Sequence, residues 1–526
     1  MQPKLIIMRK SAIIVLLLCG LQLFAQTHVT FPNPATWTAN ELSPYVGQTI
    51  TFDQPVYICN NYYSNPSVSL HRIMSPTNQE KPGSTAYYNL LTLNSRSDVT
   101  LTGLSGYHRM GEVFRGLTVH VNSTGSISYI GHESLTGTRD DLQAVPSVDL
   151  RDTHNLLICA LNCEYYLVDN LGTGYGPDNA AESARQHNKI MDALTRICAD
   201  IYGLIEVEQG QSALRKIAQS LTERTGRQYT WIDDGGSASS SYVKTGYVYC
   251  SDVVKPHGKL SNNNTGVVSR KKMQAFELIS SGERFIFSVN HFKAKSGSAS
   301  GADADQGDGQ GIYNHSRVVE AQSVVSAYSS AKSFYGDEDI LIMGDLNAYA
   351  KEDPIMVLAE GGMTDLHRFF HADSSYSYTF HGEAGYLDHA LCNETLLPQV
   401  TGMVAYHINS DESDSYTYDK SMDQTMFRCS DHDPVLVGLK LGADIIDDRI
   451  PDASAANMCI VVDEGLPVIQ HALGGYYTIY TLSGLLVTEG QIPSPEYMLP
   501  VRLHSGVYIV NVYVENTVIR TKVQIL

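Results

Sequence analysis

Ile340-Leu341-Ile342-Met343-Gly344-Asp345-Leu346-Asn347 is an apolar run that stops in a polar turn. Four successive aliphatic residues bounded by a glycine predict a strand buried on both faces. Just before it, Val318, Ala321 and Val325 recur at helical spacing and predict a helix. A helix feeding a buried strand is the repeating unit of an α/β core. The same alternation extends outward. Residues 154–161 predict a strand ending at Asn162, and Ile190, Ala193, Leu194 and Ile197 a helix. Residues 201–207 predict a strand ending in Glu206 and Glu208, and Leu214, Ile217, Ala218 and Leu221 a helix stopped by Gly226. Residues 247–249, 274–279 and 285–289 add strands. The run 436–441 closes the region, directly after Ser430-Asp431-His432-Asp433-Pro434-Val435. The Gly-, Ser- and Asp-rich stretch between His291 and Arg317 is too polar to pack and reads as a surface loop bordering a site.

The flanks read differently. A chain of 526 residues is too long for one core, and about two to four domains are expected. Residues 27–148 alternate β-branched and aromatic residues with polar ones, in short runs at 49–52, 56–58, 89–93, 98–101, 117–121 and 127–130. That pattern predicts a small β-sandwich or barrel, with an oligonucleotide-binding type of barrel as one form. The α/β region is expected over 149–441, an acidic linker over 442–457 and a second β-sandwich over 458–526. Lys4, Arg9 and Lys10 precede an apolar run too short for a comfortable membrane span, so residues 1–26 read as a secretory signal peptide. An exported protein is the expectation, with no membrane span.

Charge and cysteines exclude some classes. The formal net charge is −19, and near −22 beyond the leader, which carries three basic and no acidic residues. A protein held on nucleic acid by a broad basic surface is therefore not expected, although bound cations can offset a global field locally. Eight cysteines beyond the leader form no paired C-x-x-C set, so a zinc site is not expected. They are either disulfide partners or buried thiols.

Chemistry-bearing residues gather at predicted strand ends: Asn162, Glu206, Asn290 with His291, Asp345 with Asn347, and Asp431 with His432. Each alone is an ordinary turn former. Five such turns, holding two histidines and three carboxylates, point to a site, because ligands gather where packed strands end. There is no Gly-x-Ser-x-Gly elbow, phosphate-cradling Gly-rich loop or His-Glu-x-x-His helix. Carboxylates, amides and histidines without a nucleophilic Ser or Cys suit metal-assisted attack of water. Carboxylates hold a hard cation and activate water, amides position it, and a histidine holds or protonates a phosphoryl group.

From residue 150 to 441 the sequence resembles the endonuclease/exonuclease/phosphatase superfamily, within it the large extracellular bacterial endonucleases. The resemblance rests on Gly203-Leu204-Ile205-Glu206-Val207-Glu208, Asn290-His291-Phe292-Lys293, Gly344-Asp345-Leu346-Asn347, Leu387-Asp388-His389-Ala390-Leu391, His407-Ile408-Asn409 and Ser430-Asp431-His432. It implies a four-layer α/β sandwich, two packed mixed β-sheets with outer helices, flanked by the N-terminal β-barrel or sandwich and the C-terminal β-sandwich. It implies Glu206 as principal divalent-metal ligand, with Asn162 and Asp431 near the same ion. Magnesium is the first expectation, manganese or calcium the alternatives. Asp345 would activate water with Asn347 in support, and His432, steadied by Asp388, and His291 would bracket the phosphate. Asn290, Lys293 and Arg317 are candidate substrate contacts, with Lys295 a further one. The resemblance leaves the carboxylate partner of His291 unassigned. Asp303, Asp305 and Asp308 offer a structural calcium site, His389 and His407 are packed residues or substrate contacts, and Asp433 reads as a turn former.

The C-terminal region resembles the sorting domain of the type IX secretion route, on Ile479-Tyr480-Thr481-Leu482-Ser483-Gly484, Ser505-Gly506-Val507-Tyr508-Ile509-Val510 and Lys522-Val523-Gln524-Ile525-Leu526. It implies export machinery as a partner and a secreted or surface location. The combined expectation is a secreted metal-dependent endonuclease acting on extracellular DNA, or also RNA. A phosphodiesterase or phosphatase on a lipid or sugar phosphate and an inert surface binding protein are the alternatives.

Overall fold

The computed structural model describes residues 27–526 except 62–64, 141–149, 151–153, 235–240, 263–270, 421–424, 443–458, 464–465, 471–474, 482–485, 495, 500–505, 515–516 and 526. The leader and almost all of the expected linker lie outside the described residues.

In the central region the first sheet contains β1 (Leu156–Tyr166), β2 (Ile201–Glu208), β3 (Tyr229–Trp231) and β4 (Val243–Cys250). The second contains β5 (Val254–Asn262), β6 (Lys271–Leu278), β7 (Arg284–His291), β8 (Ile340–Asp345), β9 (Thr364–Asp365) and β10 (Asp388–Cys392). Two late strands, β11 (Val400–Ala405) and β12 (Val435–Leu439), return to the first sheet. The spatial orders are β3-β4-β2-β1-β12-β11 and β5-β6-β7-β8-β10-β9. Each sheet has one parallel pair at its heart, β1 with β2 and β7 with β8, and antiparallel neighbours outside it.

Period-two alternation explains why these strands read as unbroken apolar runs. Along β1, Leu156, Ile158 and Ala160 face the core between the sheets, where they meet Phe287, Val289, Leu341, Met343 and Val437. Leu157, Cys159 and Leu161 face the other way, against Ile190 and Leu194 of α1 (Ala180–Ile197) and Leu214 and Ile217 of α2 (Ser212–Thr225). The second sheet repeats this, with Ile286, Ile340 and Ile342 under Ala321, Val324 and Tyr328 of α3 (Asn314–Tyr335) and Ile355 and Leu358 of α4 (Asp353–Glu360). Helix, sheet, sheet and helix make the four-layer α/β sandwich.

Residues 27–136 form one nine-stranded sheet whose first and last strands, Thr27–Val29 and Ser134–Thr136, are its two edges. It gathers Ile50, Phe52, Ile58, Leu101, Phe114, Val119 and Ile127 on one core. Residues 89–93, expected as a strand, instead lie in the helix Thr85–Asn94. Ser84 caps that helix by accepting from the Tyr87 amide, a local device that outweighs the weak alternation. At the other end a three-stranded and a four-stranded sheet share a core of Ile469, Tyr477, Ile479, Val510 and Val512. Cys59, Cys159, Cys163, Cys250, Cys392 and Cys429 are buried free thiols, and Cys198 is a partly buried one. Among the described residues no helix is long and apolar enough to cross a membrane.

Candidate active site

The site grows out of strand register. In the second sheet His291 pairs with Asp345, and Asp345 with Asp388, so three adjacent strands present these side chains at one end. Gly344 makes the approach possible. At φ +135° it lies where a Cβ would come within 2.0 Å of the Asn290 carbonyl oxygen.

The first sheet contributes through a bulge. Leu204 and Val207 both face the outer helices, an interval of three where alternation allows only two. The β2 register shifts between them, and Glu206, at φ +56°, is the extra residue. A bulge re-aims its side chain, which here turns from the helix face toward the site. The neighbouring β1 also shifts register after Asn162, with Glu164 and Tyr165 both at φ +50°. Left-handed backbone at Glu206, Asn347 and Arg428 adds to a concentration of strain typical of functional sites.

The side chains then converge. His432 shares a 2.7 Å hydrogen bond with Asp388 through Nδ1, leaving Nε2 3.8 Å from Asp345 and 3.9 Å from Asp431. Ser377 donates to the same Asp388 carboxylate. His291 Nε2 lies 3.6 Å from Glu206 and 3.7 Å from Asp345, so Glu206 and Asp345 are the carboxylates beside it. Asp345 accepts from the Asn162 amide at 3.1 Å and from both nitrogens of Asn347. Glu206 accepts from the Tyr165 backbone amide. Ser430 donates to the Asn162 carbonyl and so ties the loop before β12 to β1.

Burial in this acidic group sets the proton affinities. Glu206 is pushed up to about 7, first by burial and then by the charges of Asp431 and Asp345. Burial likewise raises Asp345, and Asp388 adds to it against the opposing pull of His432. Burial would lower His432, but Asp388, Asp431 and Asp345 outweigh it and hold the imidazole well above its ordinary value. The acidic surroundings thus raise the affinity of both His432 and Asp345 for a proton.

The structure brings Asn162, Glu206, His291, Asp345, Asn347, Asp388, Asp431 and His432 into one cluster. It does not bring the expected substrate contacts there as such. Arg317 is fully buried and donates to the Lys293, Ile312 and Gln310 carbonyls, so its fork organises the polar loop rather than a phosphate. Asn290 is fully buried and donates to Ser288. Lys295 pairs with the buried Glu352 at 2.5 Å. Lys293 is partly exposed, with Nζ 4.1 Å above the Tyr313 ring. Asp303, Asp305 and Asp308 do not converge on a cation position. They accept from Ser316, Gly307 and Gln310 respectively, as caps and turn formers.

His389 is buried and bonded to the Ala348 carbonyl, and His407 stacks on Tyr376 with centroids 3.8 Å apart. Asp433 is more than a turn former. Fully buried, it accepts from the Asn409 and Ser410 amides, the Ser410 hydroxyl and His407. Sequence reasoning missed Glu164, which burial and then Asp431 push upward, and Tyr378, whose ring lies 4.7 Å from that of His432. Neither has a local signal, since the bulge and a distant hairpin place them.

Two acidic groupings can be weighed as a metal position. Asp345, Asp388 and His432 each offer one ligand atom within 4.8 Å of the others. Asp388 Oδ2 is already taken by His432 and Ser377, so that group is better suited to holding a proton. Glu206, Asp431 and Asn162 present hard oxygen donors, and the charge of Asp431 adds to the burial that raises Glu206. This donor set fits a divalent hard metal.

No curated protein matches the chain. Solved structures similar to it include an endonuclease/exonuclease/phosphatase from Bacteroides vulgatus, 16% identical over 54% of this chain and 98% of that one, TM-score 0.36. The human Nocturnin catalytic domain with bound sulfate is 14% identical over 54% and 94%, TM-score 0.36. A mannosyl-6-phosphatase of Bacteroides thetaiotaomicron is 15% identical over 54% and 99%, TM-score 0.34. The model of the Endonuclease/Exonuclease/phosphatase family matches residues 159–432, which hold every strand end of the site. That span is more than half of the chain, and the protein belongs to the endonuclease/exonuclease/phosphatase family, hydrolases of phosphoester bonds.

Proposed function

We propose that this protein is a divalent-metal-dependent phosphodiesterase, an endonuclease cleaving DNA and, second, RNA. The observation that carries the reading is His432, oriented by Asp388, facing Asp345 across a buried acidic strand-end cluster. Glu206, Asp431 and Asn162 would hold the ion, magnesium first, whose charge neutralises a phosphate oxygen when bound. Asp345 takes the proton of the attacking water, held in place by the amides of Asn162 and Asn347. His432 presents Nε2–H to the phosphoryl group, since Asp388 occupies Nδ1 and fixes the ring. His291, between Glu206 and Asp345, supplies a second ring nitrogen to the same space, and one of these two imidazoles gives its proton to the leaving oxygen as that oxygen's bond to phosphorus breaks.

The leader-like residues 1–26 and the sorting-like C-terminal strings support an extracellular or surface location, reached through export machinery. Fractionation of the producing cells tests it, with cytoplasmic retention of the full-length chain as the contrary result. A sugar or lipid phosphate is the second reading, favoured by the net charge of −19. One experiment separates the readings: supercoiled plasmid and a small phosphate ester, each with magnesium or manganese, with and without chelator. Nicking that needs metal and falls by about three orders of magnitude in His432→Ala supports the endonuclease. Hydrolysis of the small ester with untouched plasmid supports the second reading instead.

A further inference from the structure

We propose that Tyr165, Tyr175 and Tyr242 form a stacking platform for the unpaired bases of a single-stranded polynucleotide beside the hydrolytic site. The rings of Tyr165 and Tyr175 stack with centroids 5.0 Å apart and 19° between planes. Tyr242 follows at 6.2 Å, tilted 41°. Tyr175 is 53% and Tyr242 42% exposed. Aromatic rings left in water as a contiguous series mark a binding surface more often than a lone exposed residue does.

The platform is built into the end of β2. The Tyr165 amide donates to Glu206 at 3.1 Å, which ties the backbone that carries the first ring to a proposed metal ligand. Two residues on, Glu208 is buried and accepts from the amides of Val168, Asp169 and Asn170, fixing the start of the loop that carries Tyr175. The Gly172 amide closes that loop on the Pro177 carbonyl. Gly176, at φ +64°, lies where a Cβ would come within 2.4 Å of the Tyr165 carbonyl oxygen, so only glycine lets the loop rest there. The Gln209 amide donates to the Tyr242 carbonyl. Residues 206–209 thus tie down the backbone at Tyr165, at the start of the Tyr175 loop and at Tyr242, which limits the ordering left to be done on binding.

The occupant follows from chemistry. A polynucleotide carries a flat aromatic group on every residue next to its phosphates, and sugar or lipid phosphates carry none. In a duplex those faces are covered by neighbouring bases, so only an unpaired strand can offer them. Base–aromatic stacking is tolerant of sequence and strong enough to matter without a basic surface. That accounts for polynucleotide recognition by a chain of net charge −19. The inference rests on the polynucleotide reading above, and goes beyond it in naming strand state and contact residues.

The test is fluorescence anisotropy of the full-length protein with a labelled single-stranded oligonucleotide in chelator, so that binding is measured apart from hydrolysis. Tyr175→Ala and Tyr242→Ala are expected to weaken binding about tenfold each, and Tyr175→Phe to retain it. An oligonucleotide of abasic residues is expected to bind wild type as weakly as the intact one binds Tyr175→Ala. Phe334→Ala, which removes a 60% exposed ring on α3, is the control and keeps wild-type affinity. Equal affinity of wild type and both alanine variants, or equal binding of abasic and intact strands, overturns the platform. Platform-dependent binding with no metal-dependent cleavage would keep the platform and remove the endonuclease reading. Cleavage with unchanged binding in the variants would do the reverse.

Discussion

The N-terminal β region meets the catalytic sandwich through buried charge, whereas the C-terminal sheets meet it through rings. Arg109 is 4% exposed and donates to Glu412 at 2.5 Å and to the His407 carbonyl. Arg72 pairs with Asp411 at 2.9 Å, Arg139 joins Glu412, and Thr77 donates to Glu352. Backbone pairing reinforces the seam, with Met110 donating to Asp411, Ser75 to Ala384 and Ala384 to Ile73. On the C-terminal side Tyr480 and Ile509 join the inter-sheet core, and Arg520 lies 4.2 Å above Phe369. The difference matters because the charged seam leads to the active-site loop. Asp411 accepts from Tyr376, Tyr376 stacks on His407, His407 bonds Asp433, and Asp433 adjoins His432. The Asn409 side chain, from the same loop, donates to the His432 carbonyl. One flank is wired to the chemistry and the other is merely attached.

The largest effect should come from Arg109→Ala, which leaves buried Glu412 with Arg139 alone and weakens the hold on Asp411. Removing one partner of a buried ion pair costs about 3–5 kcal/mol, read as a fall in melting temperature. Turnover should fall at least about tenfold, because a misplaced His432 loop loses its near-attack geometry. Undiminished turnover would break the comparison. Tyr376→Phe comes next: it keeps the ring and removes the hydroxyl from Asp411, at about 1.5–3 kcal/mol by denaturant titration.

Acid should loosen the same seam. Burial opposes ionisation of Asp411, but Arg72 and then Arg109 outweigh it and hold the carboxyl below the usual range. A lowered folded value means the contribution is fully present above the unfolded value, about 3.9. It is lost as pH falls through the lower folded value. The stability gap between wild type and Asp411→Asn should therefore be flat near neutrality and shrink only below about pH 4. A gap that closes already at pH 6 would assign the linkage elsewhere. The smallest effect belongs to Arg520→Ala, whose loss of ring contacts should cost about 0.5–1 kcal/mol with turnover intact. A large activity loss there would erase the asymmetry between the flanks.

Much of the central fold was legible because both faces of its strands are buried. Unbroken runs such as 340–343 and 156–161, spaced by helical repeats, admit little but an α/β core. The strand-end positions of His291 and Asp345 were legible for the same reason, since a polar turn after an apolar run is a local signal, whereas the strand expected to end at Asn162 runs on to Tyr166 through a register shift. The helix Thr85–Asn94 was not, because its capping serine outweighs an alternation only five residues long. Glu206 could be placed at a strand end, but its aim depends on a bulge set by two neighbouring strands.

Sequence by itself determined the periodicity, the turns and the set of reactive side chains, since these depend on residues a few positions apart. Tertiary structure alone decided how each polar group is spent. Arg317 and Lys295 look like phosphate ligands along the chain, yet distant carbonyls and Glu352 consume them. Asp433 looks like a turn former, yet it anchors residues 407–410. A buried charge or donor must find a partner, and which partner it finds depends on segments hundreds of residues away.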